Sequence, residues 1–342
     1  MKYHRIVQAP KGELQFIEDE IAGPRHGEVR VKIQTAGVSF ADMLMREGIH
    51  PEARRKPFTP GWDIVGVVEK LGGGVTSVKV GDVVAAMPIV GGYAEYICLP
   101  ESEVVGVPDD VDPAEAVCMV LNYTTAYQML HRSAEAKPGE TALIHSAAGG
   151  VGTALIQLCK LHGMTIYGTA SERKHETVET LGGIPIDYRH SDFVEQIRNA
   201  TGDGVDIVFD GIGGWNLRRS FKVLRRGGRL VAYGFQSSLT KGKRSVGRVV
   251  SDATGWATAF ALNLANPNKR LRVYSVQMLK RRHPDWFRDD LTALFDLLAN
   301  DEIKPVIAEK LPLEQAALAH ERLSDGAIVG KIVLLCDPTI QP

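Results

Sequence analysis

The chain has 342 residues, a length that suits two domains of ordinary size better than a single core. Its 40 lysines and arginines nearly balance 41 aspartates and glutamates, so no overall field draws it to nucleic acid or to an anionic membrane. No segment approaches the ~20 apolar residues that a bilayer span requires, which excludes stable membrane insertion, and the scattered Cys98, Cys118, Cys159 and Cys336 fit a reducing, cytoplasmic setting better than a disulfide framework or a zinc knuckle.

In chain order, the first third reads as short β-like runs bounded by glycine and proline: Arg5 to Gln8, Glu28 to Gln34, Asp63 to Leu71, Asp82 to Ala86 and Ala94 to Leu99. This spacing predicts an all-β partial barrel. From Pro138 strands and helices alternate. Thr141 to His145 is followed by a helix from Gly150 to His162, then Thr165 to Thr169, a helix from Arg173 to Leu181, Val205 to Phe209, a helix near Leu217 to Leu224, and Arg229 to Tyr233. Such alternation is the signature of βαβ units and a parallel sheet, so the fold class is α/β. Gln236 to Arg248 reads as a polar, basic surface loop, followed by an amphipathic stretch to Leu264. Arg270 to Val276 reads as a strand at the sheet edge and Trp286 to Ala299 as a helix; Ile303 to Leu335 reads as strand, helix and strand. An uncovered edge strand invites pairing with a symmetry mate, which predicts a homodimer.

The most informative stretch is TALIHSAAGGVGTALIQL, Thr141 to Leu158. A buried strand runs into Ala147, Gly149 and Gly152 at dinucleotide-fingerprint spacing, with alanine in the first glycine position, and then into a helix. Ala148, Gly149, Gly150, Val151 and Gly152 therefore form a turn whose backbone can approach a pyrophosphate at a helix N-terminus. A tight turn without a ligand is the competing reading, and the surrounding βαβ rhythm weighs against it.

Cofactor choice is written at the end of the second strand, where an acid binds the adenosine ribose of NAD. Here the strand ends in Thr169, Ala170 and Ser171, followed by Glu172, Arg173 and Lys174. Ser171 and Lys174 suit a 2′-phosphate, and Tyr188 in IDYR suits the neighbouring loop, so NADPH is expected. A solvated first helical turn is the alternative for the cations, and Glu172 is the residue that pulls towards NAD.

GVSFADMLMREG, FTPGWDIVGVV, VKVGDVVAAM, GGYAEY, NYTTAYQML, AAGGVGTALIQL, GTASERKHE, IDYR and GVDIVFDGIGG occur in order along the whole chain. Together they resemble the quinone oxidoreductase branch of the medium-chain dehydrogenase/reductase superfamily, including its VAT-type homologues. The resemblance implies a GroES-like β-rich catalytic domain over residues 1–122 and 278–342, enclosing a Rossmann doubly wound parallel-sheet domain over 123–277, with the active site in the cleft between them. Zinc alcohol dehydrogenases of this superfamily place a cysteine and a histidine where this chain has Ser39 and Trp62, so no metal is expected. Acceptors that are already electrophilic remain: a quinone or an enone.

The resemblance further implies that Ser39 lies beside the nicotinamide as a catalytic and cofactor-binding residue, and that Asn122, Thr125, Phe235 and Lys331 line the cofactor. His50 stands where the family usually has a tyrosine, and with an ordinary pKa of about 6.5 it is the candidate proton donor. An exposed loop histidine is the equal alternative, and for Phe235 core packing is slightly the stronger one. Asp42 and Asp63 are expected to brace loops through backbone hydrogen bonds. Two other functions compete: an enoyl-thioester reductase that uses Lys241, Lys243, Arg244 and Arg248 for a carrier phosphate, and a non-catalytic NADPH-binding protein whose basic loop touches anionic lipid weakly.

Overall fold

The computed structural model of the chain describes residues 1–10, 12–240 and 242–337. They form two compact units, Met1–Leu121 with Arg288–Pro342, and Asn122–Phe287. The return to the first unit falls later than residue 278. Helix Val276–Arg282 packs on Thr124–Gln128 inside the second unit, and the Arg132 guanidinium lies 4.3 Å over the Trp286 ring.

The first unit is built on the eleven-residue strand Glu28–Val38. One of its edges carries Ile64–Leu71, and the other is shared by Tyr96–Pro100 and Lys331–Leu335. Val83–Ala86 and Val104–Gly106 extend the sheet beyond Ile64–Leu71, and Ile307–Pro312 closes the far end in parallel with Lys331–Leu335. Alternation explains the burial: Val29, Val31 and Ile33 point to one face and are wholly buried with Val68, Val84 and Ile332. A separate antiparallel hairpin pairs Lys2–Gln8 with Leu14–Glu20, a strand too polar to stand out in the sequence.

In the second unit all six strands of the sheet are parallel, ordered Ile184–Asp187, Thr165–Ala170, Thr141–Ile144, Val205–Asp210, Leu224–Ala232 and Arg270–Val273. Counted along the chain this is the order 3-2-1-4-5-6 of a doubly wound dinucleotide-binding sheet, and the order reverses between Thr141–Ile144 and Val205–Asp210. Both central strands are almost wholly buried around the apolar runs Ala142–Ile144 and Ile207–Phe209, as strands covered on two faces must be.

Two expectations need correction here. Gln236 to Arg248 is not a structureless loop: it holds a 3-10 turn at Gln236–Ser238, a hairpin of Leu239–Thr240 with Lys243–Arg244, and the start of the twenty-residue helix Val246–Ala265. Elements of two or three residues leave no periodic trace to read. The edge strand stops at Val273; Tyr274 is buried, donates its hydroxyl to Gln128 Oε1 at 2.8 Å, and Val276 opens a helix. The inner face of Val246–Ala265 is fixed by Gly255, where a Cβ would overlap the backbone of Gly214, so only glycine permits the approach.

Candidate functional site

Helix Gly150–Leu161 begins at Gly149, whose extended backbone gives no side-chain cap, so the first amide groups of the helix have no local partner. The reversal of direction before it is made at Ser146, a non-glycine residue with φ of 55°, which leaves Ala147 free to be an alanine. Ala147 N–H donates to Thr169 O, tying the turn to the second strand. At Gly152 a Cβ would overlap the carbonyl groups of Ser146 and Ala147, so the third glycine is demanded by close packing of helix on turn. Ala148 is buried, and Gly149, Gly150 and Val151 are half-buried at the carboxyl end of the central strand.

A buried relay fixes the ends of three strands at this point. Ser146 N–H donates to Thr169 Oγ1 at 3.3 Å, and Thr169 Oγ1 lies 3.1 Å from His145 Nδ1. His145 Nε2 is 3.0 Å from Ser220 Oγ, which donates to Asp210 Oδ2 at 2.7 Å. Because Ser220 gives its proton to Asp210, it accepts from His145 Nε2–H. Burial pushes the His145 pKa down, against the pull of Asp210, which favours the neutral ring. Asp210 Oδ1 also accepts from the amides of Ile212 and Gly213, at 2.8 and 3.1 Å, shaping the second glycine turn. His145 was passed over although it stands in TALIHSAAGG, and Ser220 belongs to no motif; Asp210 stood in VFDGIGG.

At the outer side of the turn, Asp187 pairs in register with Ala170, which sets Tyr188 and Arg189 beside Ser171. Ser171 is buried and its side chain makes no capping bond to the following turn. Lys174 is half-buried, and burial first, then Arg173 and Arg189, hold its ammonium below the ordinary lysine range. Three cations thus converge where the second strand ends. Arg189, whose guanidinium lies 5.9 Å from the centre of the exposed Tyr188 ring, is a member that the sequence reading passed over although it stands in IDYR. The Glu172 carboxylate keeps company with Asp187 and His190, ligand atoms of the three lying within 4.8 Å of one another. Asn122 and Thr125 are buried near two π-helical turns, Met119–Tyr123 and Met129–Ser133, and Phe235 packs on Trp256 with ring centres 5.4 Å apart.

The candidate residues of the first unit are held by neighbours within that unit. Ser39 caps helix Phe40–Arg46: its hydroxyl donates to Asp42 Oδ2 at 2.7 Å and accepts from Asp42 N–H. Asp42 Oδ1 accepts from Gly61 N–H at 3.1 Å, bracing the loop that precedes Trp62, and burial pushes its pKa up to about 6 against the Ser39 hydrogen bond. Trp62 is buried and donates its indole N–H to Met45 Sδ. Neither Ser39 nor Trp62 supplies a zinc ligand in this arrangement. Lys331, expected at the cofactor, is buried and gives its ammonium to Asp63 Oδ2 at 2.6 Å within the first unit. His50 lies edge-on to Trp62 at 5.0 Å and accepts Glu52 N–H on Nδ1, so its proton sits on Nε2. Burial pushes the His50 pKa down to about 4, so the ring is neutral at neutral pH, contrary to the expectation of a group titrating near 6.5.

A 3-2-1-4-5-6 sheet with an uncapped glycine turn at its reversal, joined in one chain to a β-rich unit, defines a nicotinamide-dependent dehydrogenase/reductase of the medium-chain type. Residues 25–109 match the alcohol dehydrogenase GroES-like domain, and residues 183–334 match a family described as zinc-binding dehydrogenase. The chain is 38% identical over 303 residues to the synaptic vesicle membrane protein VAT-1 of Tetronarce californica, covering 86% of this chain and 77% of that protein. It is 33% identical over 317 residues to the VAT-1 homolog of Danio rerio, covering 92% of this chain and 65% of the longer relative. The Escherichia coli quinone oxidoreductase, solved in complex with NADPH, superposes with a TM-score of 0.82 at 28% identity, covering 97% of this chain and 99% of that one. The chain belongs to the quinone oxidoreductase branch of the medium-chain dehydrogenase/reductase family.

Proposed function

We propose that the chain is an NADPH-dependent, zinc-independent reductase acting on a quinone or an enone. The observation that carries the reading is the meeting of Ser171, Lys174 and Arg189 at the end of the second strand, a cationic cluster in a chain that also offers an uncapped helix N-terminus after its first strand. The amides at Gly150 to Gly152 suit a pyrophosphate, and the cations with the Ser171 hydroxyl suit a 2′-phosphate. Glu172, which in an NAD-type site would face the ribose, is grouped instead with Asp187 and His190.

When bound, the nicotinamide supplies a hydride to an electrophilic carbon of the acceptor. The first unit offers no thiolate or imidazole pair at Ser39 and Trp62 to hold a Lewis acid, which favours acceptors that need no metal to polarise them. His50, neutral with its proton on Nε2, is no cationic acid at neutral pH, so on this reading the proton that completes the reduction comes from solvent. The four cysteines are free, in keeping with a cytoplasmic location, and among the described residues no helix is long and apolar enough to cross a membrane. A homodimer completes the reading, by analogy with symmetric assembly of soluble enzymes.

An enoyl thioester is the second reading for the acceptor. Arg248, with Trp215, Asn216, Ser237 and Ser251, lines a cavity of about 230 Å³ that suits an anionic carrier group. Lys243 and Arg244 are exposed nearby in sequence, and Lys241 lies outside the described residues. The test is to follow NADPH absorbance with a quinone, an enone and an enoyl-CoA in turn. Turnover of the first two supports the proposal, turnover of the enoyl-CoA alone supports the second reading, and NADPH binding without any turnover contradicts both.

A further inference from the structure

Charges of both signs meet where the second strand of the second unit ends, and they are sorted. Ser171, Glu172 and Lys174 share one tight turn, closed by Lys174 N–H on Ser171 O at 2.8 Å. Asp187, Arg189 and His190 share another, and Asp187 is in register with Ala170, which brings the two turns together. Glu172 is almost next to Lys174 in sequence, yet its carboxylate groups across the strands with Asp187 and His190, ligand atoms of the three lying within 4.8 Å of one another. The cations collect as well: after burial, it is Arg173 and Arg189 that hold the Lys174 ammonium below the ordinary lysine range. Cations gathered in this way attract an anion, and a carboxylate left among them would cancel that attraction.

His190 is the group that can hold the acids apart from the cations. Its Nδ1 lies 2.5 Å from Asp187 Oδ2, while Asp187 Oδ1 accepts from Arg189 N–H at 2.9 Å, so both oxygens of that carboxylate are engaged. The Asp187 hydrogen bond, then the charges of Asp187 and Glu172, raise the His190 pKa above its ordinary 6.5, against burial and Arg189. The other charges nearby are His175, which acts on Asp187, and Asp192, which is paired with Arg219 at 2.8 Å. An imidazolium beside two carboxylates offsets one of their charges, and a neutral imidazole offsets neither. The charge left over bears on the two cofactors in opposite directions. It opposes a 2′-phosphate beside Ser171 and Lys174, and it frees Glu172 at the strand end for ribose hydroxyls, the place from which an acid holds NAD.

We propose that His190 is a positioning residue for cofactor choice: its imidazolium holds Glu172 with Asp187, away from the cations, and so strengthens the preference for NADPH over NADH. The proposal rests on the NADPH reading and deepens it. The test is fluorescence titration of the full chain with NADPH and with NADH, from about pH 6.5 to about pH 8.5, for wild type, His190→Gln, His190→Lys, Glu172→Gln and the double variant His190→Gln/Glu172→Gln. At the lower pH, His190→Gln should reduce the ratio of NADPH to NADH affinity by about three- to tenfold, the effect of one charge near the surface, and Glu172→Gln added to it should restore most of the loss. The imidazolium is present below its pKa and lost above it, so the gap between wild type and His190→Gln should close as pH rises, while His190→Lys, charged throughout, should keep it open. The second ionisation of the phosphate, at about pH 6, enters wild type and variants alike and cancels in these gaps. Ratios that are the same in wild type and His190→Gln at every pH overturn the proposal and spare the NADPH reading. A gap that does not close with pH, or a loss that Glu172→Gln does not restore, overturns it as well, since His190 then acts without its charge or without the acids. A wild-type preference for NADH at every pH overturns the reading and the proposal together.

Discussion

The glycine turn of the second unit and the Ser39–Trp62 corner of the first differ in what their chemistry is made of. The turn works through backbone: amides at a helix start, a φ of 55° at Ser146, and a glycine whose Cβ would overlap two carbonyl groups. The corner works through side chains, and here these are tied to one another: Ser39 to Asp42, Trp62 to Met45, Lys331 to Asp63. A backbone device keeps its task as long as the fold is kept. A side-chain device changes its task with one substitution, and at Ser39 and Trp62 the side chains present serve as a helix cap and a core residue.

Breaking the Asp63–Lys331 pair should have the largest effect. Both side chains are buried, so Lys331→Met leaves an unpaired carboxylate and should cost about 3–5 kcal/mol of stability, while Asp63→Asn added to it should restore part of the loss. Urea unfolding of the three proteins checks this. A Lys331→Met protein of normal stability with weakened NADPH binding would return Lys331 to the cofactor and erase the contrast between the regions.

Asp42 sharpens the contrast through pH. Its pKa in the folded chain is about 6 against an ordinary 3.8, so the fold favours the neutral acid. Stability from this group is therefore present at about pH 4 and is lost as pH rises towards 6, by up to about 3 kcal/mol. Relative to wild type, Asp42→Asn should gain that amount between about pH 4 and pH 7, as read from paired unfolding curves. A difference that is flat with pH would mean that Asp42 is ionised and fully solvated by its hydrogen bonds.

In the turn, Gly152→Ala should cost about 1–3 kcal/mol, because a methyl group has to displace backbone carbonyls rather than a flexible side chain. It should weaken NADPH and NADH alike, since both carry the pyrophosphate. Calorimetric titration with each cofactor decides it; a loss confined to one would show that the turn reads more than the shared phosphates.

How much was legible follows the same division. Strand Thr141–Ile144, helix Gly150–Leu161 and strand Thr165–Ala170 were readable to within a residue or so, because apolar runs, a glycine triplet and period-3.6 patterning agree over that stretch. The hairpin Leu239–Thr240 with Lys243–Arg244 and the strand Leu14–Glu20 were not, being too short or too polar to leave a pattern. Among candidate site residues, the position of the glycine turn at a strand-to-helix junction could be read from spacing alone. The hydroxyl of Ser39, the ammonium of Lys331 and the titration of His50 could not, since each is decided by a neighbour distant in sequence or by burial. The His145–Ser220–Asp210 relay joins residues up to 75 positions apart and has no local signature.

The central claim is that the second unit selects NADPH by its 2′-phosphate, and Lys174→Ala tests it most directly. Measured by fluorescence or calorimetric titration, the substitution should weaken NADPH by about ten- to a hundredfold, the worth of one charge-assisted hydrogen bond of roughly 1.5–3 kcal/mol, and leave NADH almost unchanged. Equal losses for the two cofactors, or a wild-type preference for NADH, would contradict the account and make Glu172 the residue that sets cofactor choice.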